Sequence, residues 1–432
     1  MFSNLKNKKI HITTLGCKVN QYESDAMLEE LERNGCVRAD NDTPADIYII
    51  NTCSVTNMAD RKSRQMINKM RRQNENAIIA ATGCYIQASG NELKDRGIVD
   101  VIIGNNRKKD VARILSEYIE NGSADDNFID INKDCNYENM SVIIPENHTR
   151  AYMKIQDGCN NFCTYCIIPY VRGRIRSRKL SDIQKEAEVL ASNGVKEIIL
   201  TGINVSSYED NEYRIKDVIQ CVAATEGIKR IRLSSMEPRI ITEDFLQAVS
   251  SLDSFCPHFH LSLQSACNKT LKAMNRHYTI EEYMSSVALI RKYFDNPAIT
   301  TDVIVGFPGE TDEDFEDTYR HLEALKLYEM HVFKYSRRKG TVADKMPDQI
   351  DEQIKTTRSN RLLELNKIQK EKFEDIFADK KQEVLIEEII TKDGIKYFRG
   401  HTTRYVLVDI PVNSLVSEGE NPDEYINKII IA

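Results

Sequence analysis

No apolar run in this chain of 432 residues approaches the roughly 20 residues that a membrane-spanning helix needs, so no transmembrane segment and no membrane partner are expected. The N-terminus, Met1 to Lys9, is polar and lacks the apolar segment and small-residue cleavage site of a secretory signal, which points to a cytoplasmic protein. An excess of positive charge is also missing. With 59 Lys and Arg against 66 Asp and Glu, the formal net charge is −7, which argues against a uniformly basic nucleic-acid binder. Local basic patches can still hold phosphates. There is no long-period repeat and no low-complexity tract. What the chain does have is 11 cysteines, and in a reducing compartment their spacing is read for metal ligation or thiol chemistry rather than for disulfides.

The chain is too long for one core, and two or three domains of about 100 to 200 residues are expected. Up to about Tyr118, apolar strand-like runs alternate with amphipathic helical runs, the pattern of a parallel sheet under covering helices. Ile10–Leu15, Ile47–Ile50, Ala77–Ala81 and Val99–Ile103 read as its strands, and Glu23–Arg33 as a helix stopped by Gly35. A polar, irregular stretch follows and reads as a linker. Alternation resumes with six candidate strands, Ala151–Ile155, Glu197–Thr201, Arg230–Ser234, His258–Leu263, Ile299–Val305 and Glu329–Tyr335, favouring a partial βα barrel over a doubly wound sheet. Gln353 to about Phe377 is helical and charged. Short β-rich stretches then fit a small antiparallel barrel. The expected organisation is α/β: an N-terminal parallel sheet domain over 1–125, a linker over 126–147, a six-stranded barrel core over 148–375 and a β-barrel over 376–432.

Cys159, Cys163 and Cys166 are spaced C-x3-C-x2-C directly after the first barrel strand. Three thiolates in one tight loop hold three irons of a four-iron cluster and leave the fourth open. An open iron chelates the amino and carboxylate groups of S-adenosylmethionine, whose reductive cleavage yields a deoxyadenosyl radical. A structural zinc site is the rival, but it usually needs a fourth protein ligand, and the loop has no fourth cysteine and no close histidine.

Cys17, Cys53 and Cys84 lie far apart in sequence, in Leu-Gly-Cys, Asn-Thr-Cys and Thr-Gly-Cys, each just after a predicted parallel strand. The carboxyl ends of parallel strands line one crevice, so the three can converge. A lone cysteine is more often a buried structural thiol, but three at equivalent strand ends argue for a site. Cys36, Cys135, Cys221, Cys256 and Cys267 share no such placement and read as core or incidental thiols.

The loop Gly158 to Arg178, the Leu-Thr-Gly-Ile-Asn stretch ending at Asn204, and Gly306-Phe307-Pro308-Gly309-Glu310-Thr311 resemble the radical S-adenosylmethionine methylthiotransferases over nearly the whole chain. The resemblance implies two 4Fe-4S clusters, the second held by Cys17, Cys53 and Cys84 and carrying the sulfur to be methylated. It also implies S-adenosylmethionine contacts around Gly202, Asn204, Ser235, Glu237, Gln264, Arg276, Asp302 and Ile304, a tRNA substrate, and a low-potential electron donor of the flavodoxin or ferredoxin type. The sulfur donor is not identified. Asn51 to Gln65 and Tyr335-Ser336-Arg337-Arg338-Lys339-Gly340-Thr341 look most like the branch acting on threonylcarbamoyladenosine at position 37 of tRNA. The isopentenyl-adenosine branch typically has Pro-Arg-Pro where this chain has Arg337-Arg338-Lys339.

Three basic runs stand out: Arg61, Lys62, Arg64, Lys69, Arg71 and Arg72 on one predicted helix; Arg172, Arg174, Arg176 and Arg178 with Lys179 after the cysteine loop; and Lys334, Arg337, Arg338 and Lys339 after the last barrel strand. A charge run is usually a solvated face. Beside a proposed site it can also hold folded RNA by its phosphates, so Arg172, Arg174, Arg176, Arg178, Arg337 and Arg338 are candidate RNA contacts. The C-terminal stretch resembles the TRAM module, with Lys392, Lys396, Arg399, His401 and Arg404 as a possible basic face, of which Arg399 and Arg404 are the RNA candidates carried forward. From Ile376 it holds seven Lys or Arg and ten Asp or Glu, an acidic balance that fits a basic protein partner at least as well. Three readings follow: a tRNA methylthiotransferase, the same chemistry on an aspartate of a ribosomal protein, and a non-catalytic metal-bearing RNA-binding protein.

Overall fold

Ile47–Thr52 is buried at every residue, as a strand covered on both faces by helices must be. It is the centre of a five-stranded parallel sheet. The computed structural model describes residues 2–39, 43–124, 128, 130–133, 136–143, 149–417 and 419–432. Strands β1 (Lys9–Thr14), β2 (Val37–Arg38), β3 (Ile47–Thr52), β4 (Ile78–Gly83) and β5 (Val101–Ile102) lie in the order β2-β1-β3-β4-β5. β2 escaped the sequence reading because its two residues are exposed and have no apolar signature. β4 runs two residues further than expected, to Gly83, and delivers the chain straight into Cys84.

The second sheet system contains β6 (Arg150–Asp157), β7 (Arg176–Ser177), β8 (Glu197–Gly202), the β9 (Glu209–Asp210) and β10 (Tyr213–Arg214) hairpin, β11 (Arg230–Leu233), β12 (His258–His260), β13 (Ala298–Val305) and β14 (Glu329–Lys334). β6, β8 and β11 are parallel neighbours, as are β12, β13 and β14. Parallel bridges Ile231 to Phe255 and Met236 to Leu261 join the two sets. All six expected barrel strands are therefore present, open between β6 and β14. Helix starts follow their caps: the Thr279 and Thr311 hydroxyls each accept a backbone N–H while Glu282 and Asp314 bond back.

The last four strands, β15 (Glu383–Lys392), β16 (Ile395–Thr402), β17 (Leu407–Pro411) and β18 (Ile429–Ile431), make an antiparallel sheet in the order β17-β16-β15-β18, bent at a bulge between Ile386 and Glu388. This sheet closes the end of the barrel where the strands begin. Arg150 meets Glu387 at 2.7 Å, Arg230 meets Glu383 at 2.9 Å, and Arg232 donates to the carbonyls of Thr403 and Thr402 at 3.0 and 3.3 Å.

The described part of the expected linker is stitched down. Tyr137 Oη donates to the Lys154 carbonyl at 2.7 Å, and Met140 and Val142 join the core of the first sheet. Among the other cysteines, Cys36, Cys256 and Cys267 are buried and Cys221 is half-buried, while Cys135 lies outside the described residues. No helix among the described residues is long and apolar enough to cross a membrane.

Candidate active site

The three neighbouring strands β1, β3 and β4 end in Cys17, Cys53 and Cys84. Close approach of their loops depends on Gly16. It has φ 110°, and a Cβ there would lie 2.8 Å from Cys53 Cβ and 2.9 Å from its Sγ. Cys53 and Cys84 are buried and Cys17 is exposed. Burial pushes the Cys53 thiol up to about 12, and the neighbouring Cys84 adds to it. Burial also raises Cys84, opposed by Arg172, whose Nε donates to Cys84 Sγ at 3.4 Å. Buried thiols that repel one another become thiolates only around a positive centre, which is what a metal core supplies. The donor set fits an iron–sulfur cluster.

The second trio sits in the loop after β6. Gly158, at φ 73°, lets that loop press on the next one, where a Cβ would fall 1.9 Å from the Arg174 carbonyl. Asn275 Nδ2 donates to the carbonyls of Asn161 and Phe162 at 3.0 and 3.2 Å and clamps the loop over the barrel. Cys159 Sγ accepts from the Asn161 backbone N–H at 3.5 Å, and Cys163 Sγ from Arg276 Nη1 at 3.3 Å. Burial, with Cys163 nearby, pushes Cys166 up to about 12, and burial raises Cys159. Cys166 is thus raised by the charges of Cys163 and Cys159, as Cys53 is by those of Cys84 and Cys17.

These three thiols line a cavity of about 340 Å³ at the carboxyl ends of the barrel strands, with Asn204, Ser235, Glu237, Gln264, Arg276, Asp302 and Ile304 around them. Gly202 stands just outside it. A Cβ there would come within 3.0 Å of the Gln156 carbonyl, so this glycine lets β6 and β8 meet. Asn204 Oδ1 is buried with no hydrogen-bond partner among the described residues, an acceptor suited to an ammonium group. Glu237 Oε1 takes bonds from Asn161 Nδ2 at 2.5 Å and Arg276 Nη2 at 3.3 Å. Asp302 Oδ2 meets His260 Nε2 at 3.3 Å, and His260 Nδ1 meets Thr300 Oγ1 at 2.9 Å. The same cavity is walled from the first sheet by Val55 and Thr56, two and three residues past Cys53. The loop of Cys159, Cys163 and Cys166 and the turn that leaves Cys53 therefore border one space.

Most of the arginines expected at an RNA surface are used inside the protein. Arg172 is 0% exposed, donating to Glu23 Oε1 at 2.8 Å and Oε2 at 3.0 Å and to Asp157 at 3.2 Å. Arg176 is buried, with Nη2 on the Arg172 carbonyl at 2.6 Å, and Arg178 is buried against Glu186. Arg338 is buried against Asp60 at 2.8 Å and Ser54 Oγ at 2.7 Å, which fastens the last barrel loop to the Cys53 loop. Arg404 donates to the carbonyls of Asn296 and Asp295, each at 2.8 Å, and Arg399 pairs with Asp409 at 2.8 Å. Arg174, resting on the Phe162 ring, and Arg337 remain exposed. The acidity of the C-terminal sheet has an internal use as well, since Glu383, Glu387 and Asp409 are all paired. Sequence reading missed Glu23, Lys108, Lys154 and Asp157, whose charges are buried together behind Cys84. Nothing local to them in the sequence marks them.

A family model described as the radical SAM superfamily matches residues 153–322, and one described as uncharacterized protein family UPF0004 matches residues 9–104. The chain is similar to threonylcarbamoyladenosine tRNA methylthiotransferase MtaB of Bacillus subtilis (strain 168), 39% identical over 91% of this chain and 88% of that one. It is 38% identical to the protein of the same name from Aquifex aeolicus (strain VF5), over 88% and 93%. With tRNA-2-methylthio-N(6)-dimethylallyladenosine synthase of Thermoanaerobacter pseudethanolicus it is 37% identical, over 96% and 90%. Among solved structures, the radical S-adenosylmethionine methyltransferase TsrM of Kitasatospora setae shares the fold at TM-score 0.56 and 14% identity, covering 76% of this chain and 75% of that one. Likeness over this much of the chain, together with a cavity lined by Cys159, Cys163 and Cys166 and by the turn that leaves Cys53, makes it a member of the radical S-adenosylmethionine tRNA methylthiotransferases, enzymes that use S-adenosylmethionine and 4Fe-4S clusters.

Proposed function

We propose that this chain places a methylthio group on C2 of N6-threonylcarbamoyladenosine at position 37 of tRNA. The observation that carries the chemistry is the shared cavity: Cys159, Cys163 and Cys166 on one wall, and the loop leaving Cys53 on the other. Cys159, Cys163 and Cys166 hold one cluster, and Cys17, Cys53 and Cys84 hold the auxiliary one. When bound, the clusters and S-adenosylmethionine supply one-electron chemistry strong enough for an unactivated C2–H bond, together with a methylated sulfur. The chain's own groups position these partners. Asn161 N–H and Arg276 donate to the cysteine sulfurs, and Asn204 Oδ1 and Asp302, the latter steadied by His260, would take the ammonium and the ribose of S-adenosylmethionine. In this reading residues 1–125 hold the auxiliary cluster, 148–375 generate the radical, and 376–432 cap the barrel floor. A low-potential donor of the flavodoxin or ferredoxin type supplies electrons.

Identity alone does not separate the branches, at 39% and 38% against 37%. The motif Arg337-Arg338-Lys339 in place of Pro-Arg-Pro is what favours threonylcarbamoyladenosine. Anaerobic reconstitution with iron, sulfide, S-adenosylmethionine and tRNA, followed by mass spectrometry of the digested nucleosides, tests the substrate. The expected product is 2-methylthio-N6-threonylcarbamoyladenosine. Methylthiolation of isopentenyl-adenosine with the threonylcarbamoyl nucleoside untouched overturns it. The ribosomal-protein reading rests on an acidic C-terminal surface, of which Glu383 and Glu387 are engaged by Arg230 and Arg150 of the barrel while Asp393, Glu420, Asp423 and Glu424 stay exposed.

For the tRNA itself, the helix Asn57–Gln73 presents Arg61, Lys62, Arg64, Lys69 and Arg72 to solvent beside the same cavity wall, with no acid after Asp60. Converting Lys62 and Arg72 together to Glu is expected to weaken binding of all tRNAs alike and to lower the slope of log Kd against log salt by about one per lost phosphate contact. Titrations at several salt concentrations read this, and an unchanged slope removes the helix from the interface.

A further inference from the structure

Large apolar side chains are rarely left uncovered at the centre of a polar site. Here two are: Val55 is 53% exposed and Phe333 46% exposed, and both line the cavity of Cys159, Cys163 and Cys166. Alternation along β14 explains how Phe333 comes to face it. Met330 and Val332 pack outward into the barrel's helix-covered core, which turns His331 and Phe333 the other way. Val55 comes from the opposite wall, on the turn between Cys53 and the helix that Thr56 caps.

The distance between those walls is set by polar bonds on either side. Asn57 N–H donates to Ser336 Oγ at 3.0 Å, and Arg338 bonds Asn57 Oδ1 at 2.8 Å, Ser54 Oγ at 2.7 Å and Asp60 at 2.8 Å. An apolar, partly aromatic slot is thus held between the turn that leaves Cys53 and the Cys159 loop. Any group that receives sulfur from one side and loses hydrogen to the other must sit there.

We propose that Phe333 and Val55 form the binding slot for the unstacked target base, with Phe333 stacking on its π-face and Val55 closing the slot from the first sheet. A base drawn out of an RNA loop loses its stacking neighbours, and an aromatic side chain restores them whatever the hydrogen-bonding pattern of the base. The slot rests on the reading of the chain as a tRNA-modifying enzyme, and it adds the two positioning residues that hold the base.

The test is a binding cycle on the reconstituted enzyme, using two anticodon stem-loops that differ only in having adenine or an abasic site at position 37. The wild type is expected to bind the adenine form about tenfold to a hundredfold more tightly than the abasic form. In Phe333→Ala that advantage collapses to about twofold or less. Phe333→Tyr and Phe333→Trp keep it, whereas Phe333→Leu, which has apolar bulk but no π-face, does not. Iron content and thermal unfolding should be the same in all four variants, which separates loss of the slot from loss of the fold. A wild type indifferent to the missing base, or a Leu variant equal to wild type, overturns the proposal. Failure of the tRNA-modification reading shows up elsewhere, as absence of any methylthiolated nucleoside from the wild-type enzyme.

Discussion

Cys163→Ala is expected to abolish cleavage of S-adenosylmethionine altogether, whereas Cys53→Ala is expected to leave that cleavage running and to eliminate the methylthiolated nucleoside. The two trios lie on different elements: one in a single loop after β6, the other spread over the ends of β1, β3 and β4. Each trio lacks a spare donor in its loop, so losing one thiolate removes a third of the protein ligation of one cluster and nothing from the other. Anaerobic iron analysis should therefore fall from about eight irons per chain to about four in either variant. What separates them is product. Without Cys163 neither deoxyadenosine nor modified tRNA forms, and without Cys53 deoxyadenosine accumulates alone. Methylthiolated nucleoside from Cys53→Ala would show that the sulfur does not pass through the strand-end site. Because burial holds Cys53 and Cys84 protonated in the absence of a positive centre, reconstitution of that site should also quicken as pH rises.

The cysteine geometry was legible because it depends on local rules. A strand ends, a glycine turns the chain, and the next residue points into the crevice; Leu15-Gly16-Cys17 and Thr82-Gly83-Cys84 spell this out. The six barrel strands were legible for the same reason, each being a short apolar run of the right length. The arginines were not. Arg172, Arg176 and Arg178 form a run that reads as a solvated face, and their burial is decided by Glu23, Asp157 and Glu186, the first of them 149 residues away in sequence. Arg338 is claimed by Asp60 and Ser54 in the same long-range manner. The net acidity of the C-terminal sheet is similarly incomplete as a guide: total charge says nothing about which carboxylates are already paired with Arg150 and Arg230 of the barrel. Periodicity reports on neighbours along the chain, and the ion pairs that bury Arg172 and Arg338 reach Glu23 and Asp60, which are not neighbours.

Glu23→Gln, a change of one atom far from either proposed substrate, is expected to be among the most damaging substitutions in the chain. The Glu23 carboxylate is fully buried, and Lys108, Lys154 at 2.6 Å and Arg172 at 2.8 Å all converge on it. Burial by itself would raise its pKa, but these three cations hold it well below the usual carboxylate range. Burial pulls the Lys108 ammonium down, opposed by Glu23, which with Asn105 Oδ1 is bonded to its Nζ. Removing this negative charge leaves Lys108 without the carboxylate it is bonded to, and Arg172 and Lys154 sharing Asp157 with Arg176, an uncompensated buried charge that costs about 3 to 5 kcal/mol. The cluster joins helix Lys18–Arg33 of the first sheet to β6 and the cysteine loop of the barrel, so the two should melt separately in the variant. Arg172 also loses its anchor against Cys84, so the auxiliary cluster should bleach first. The pH dependence has a definite sign. A carboxylate with a depressed folded pKa contributes stability that is fully present above its unfolded value, near 4.3, and is lost as pH falls below it. The gap between wild type and Glu23→Gln should accordingly be widest at neutral pH and narrow under acid. Calorimetry at pH 7 showing one unshifted transition would mean that the buried charges find compensation elsewhere, and that the first sheet and the barrel are not held together through Glu23.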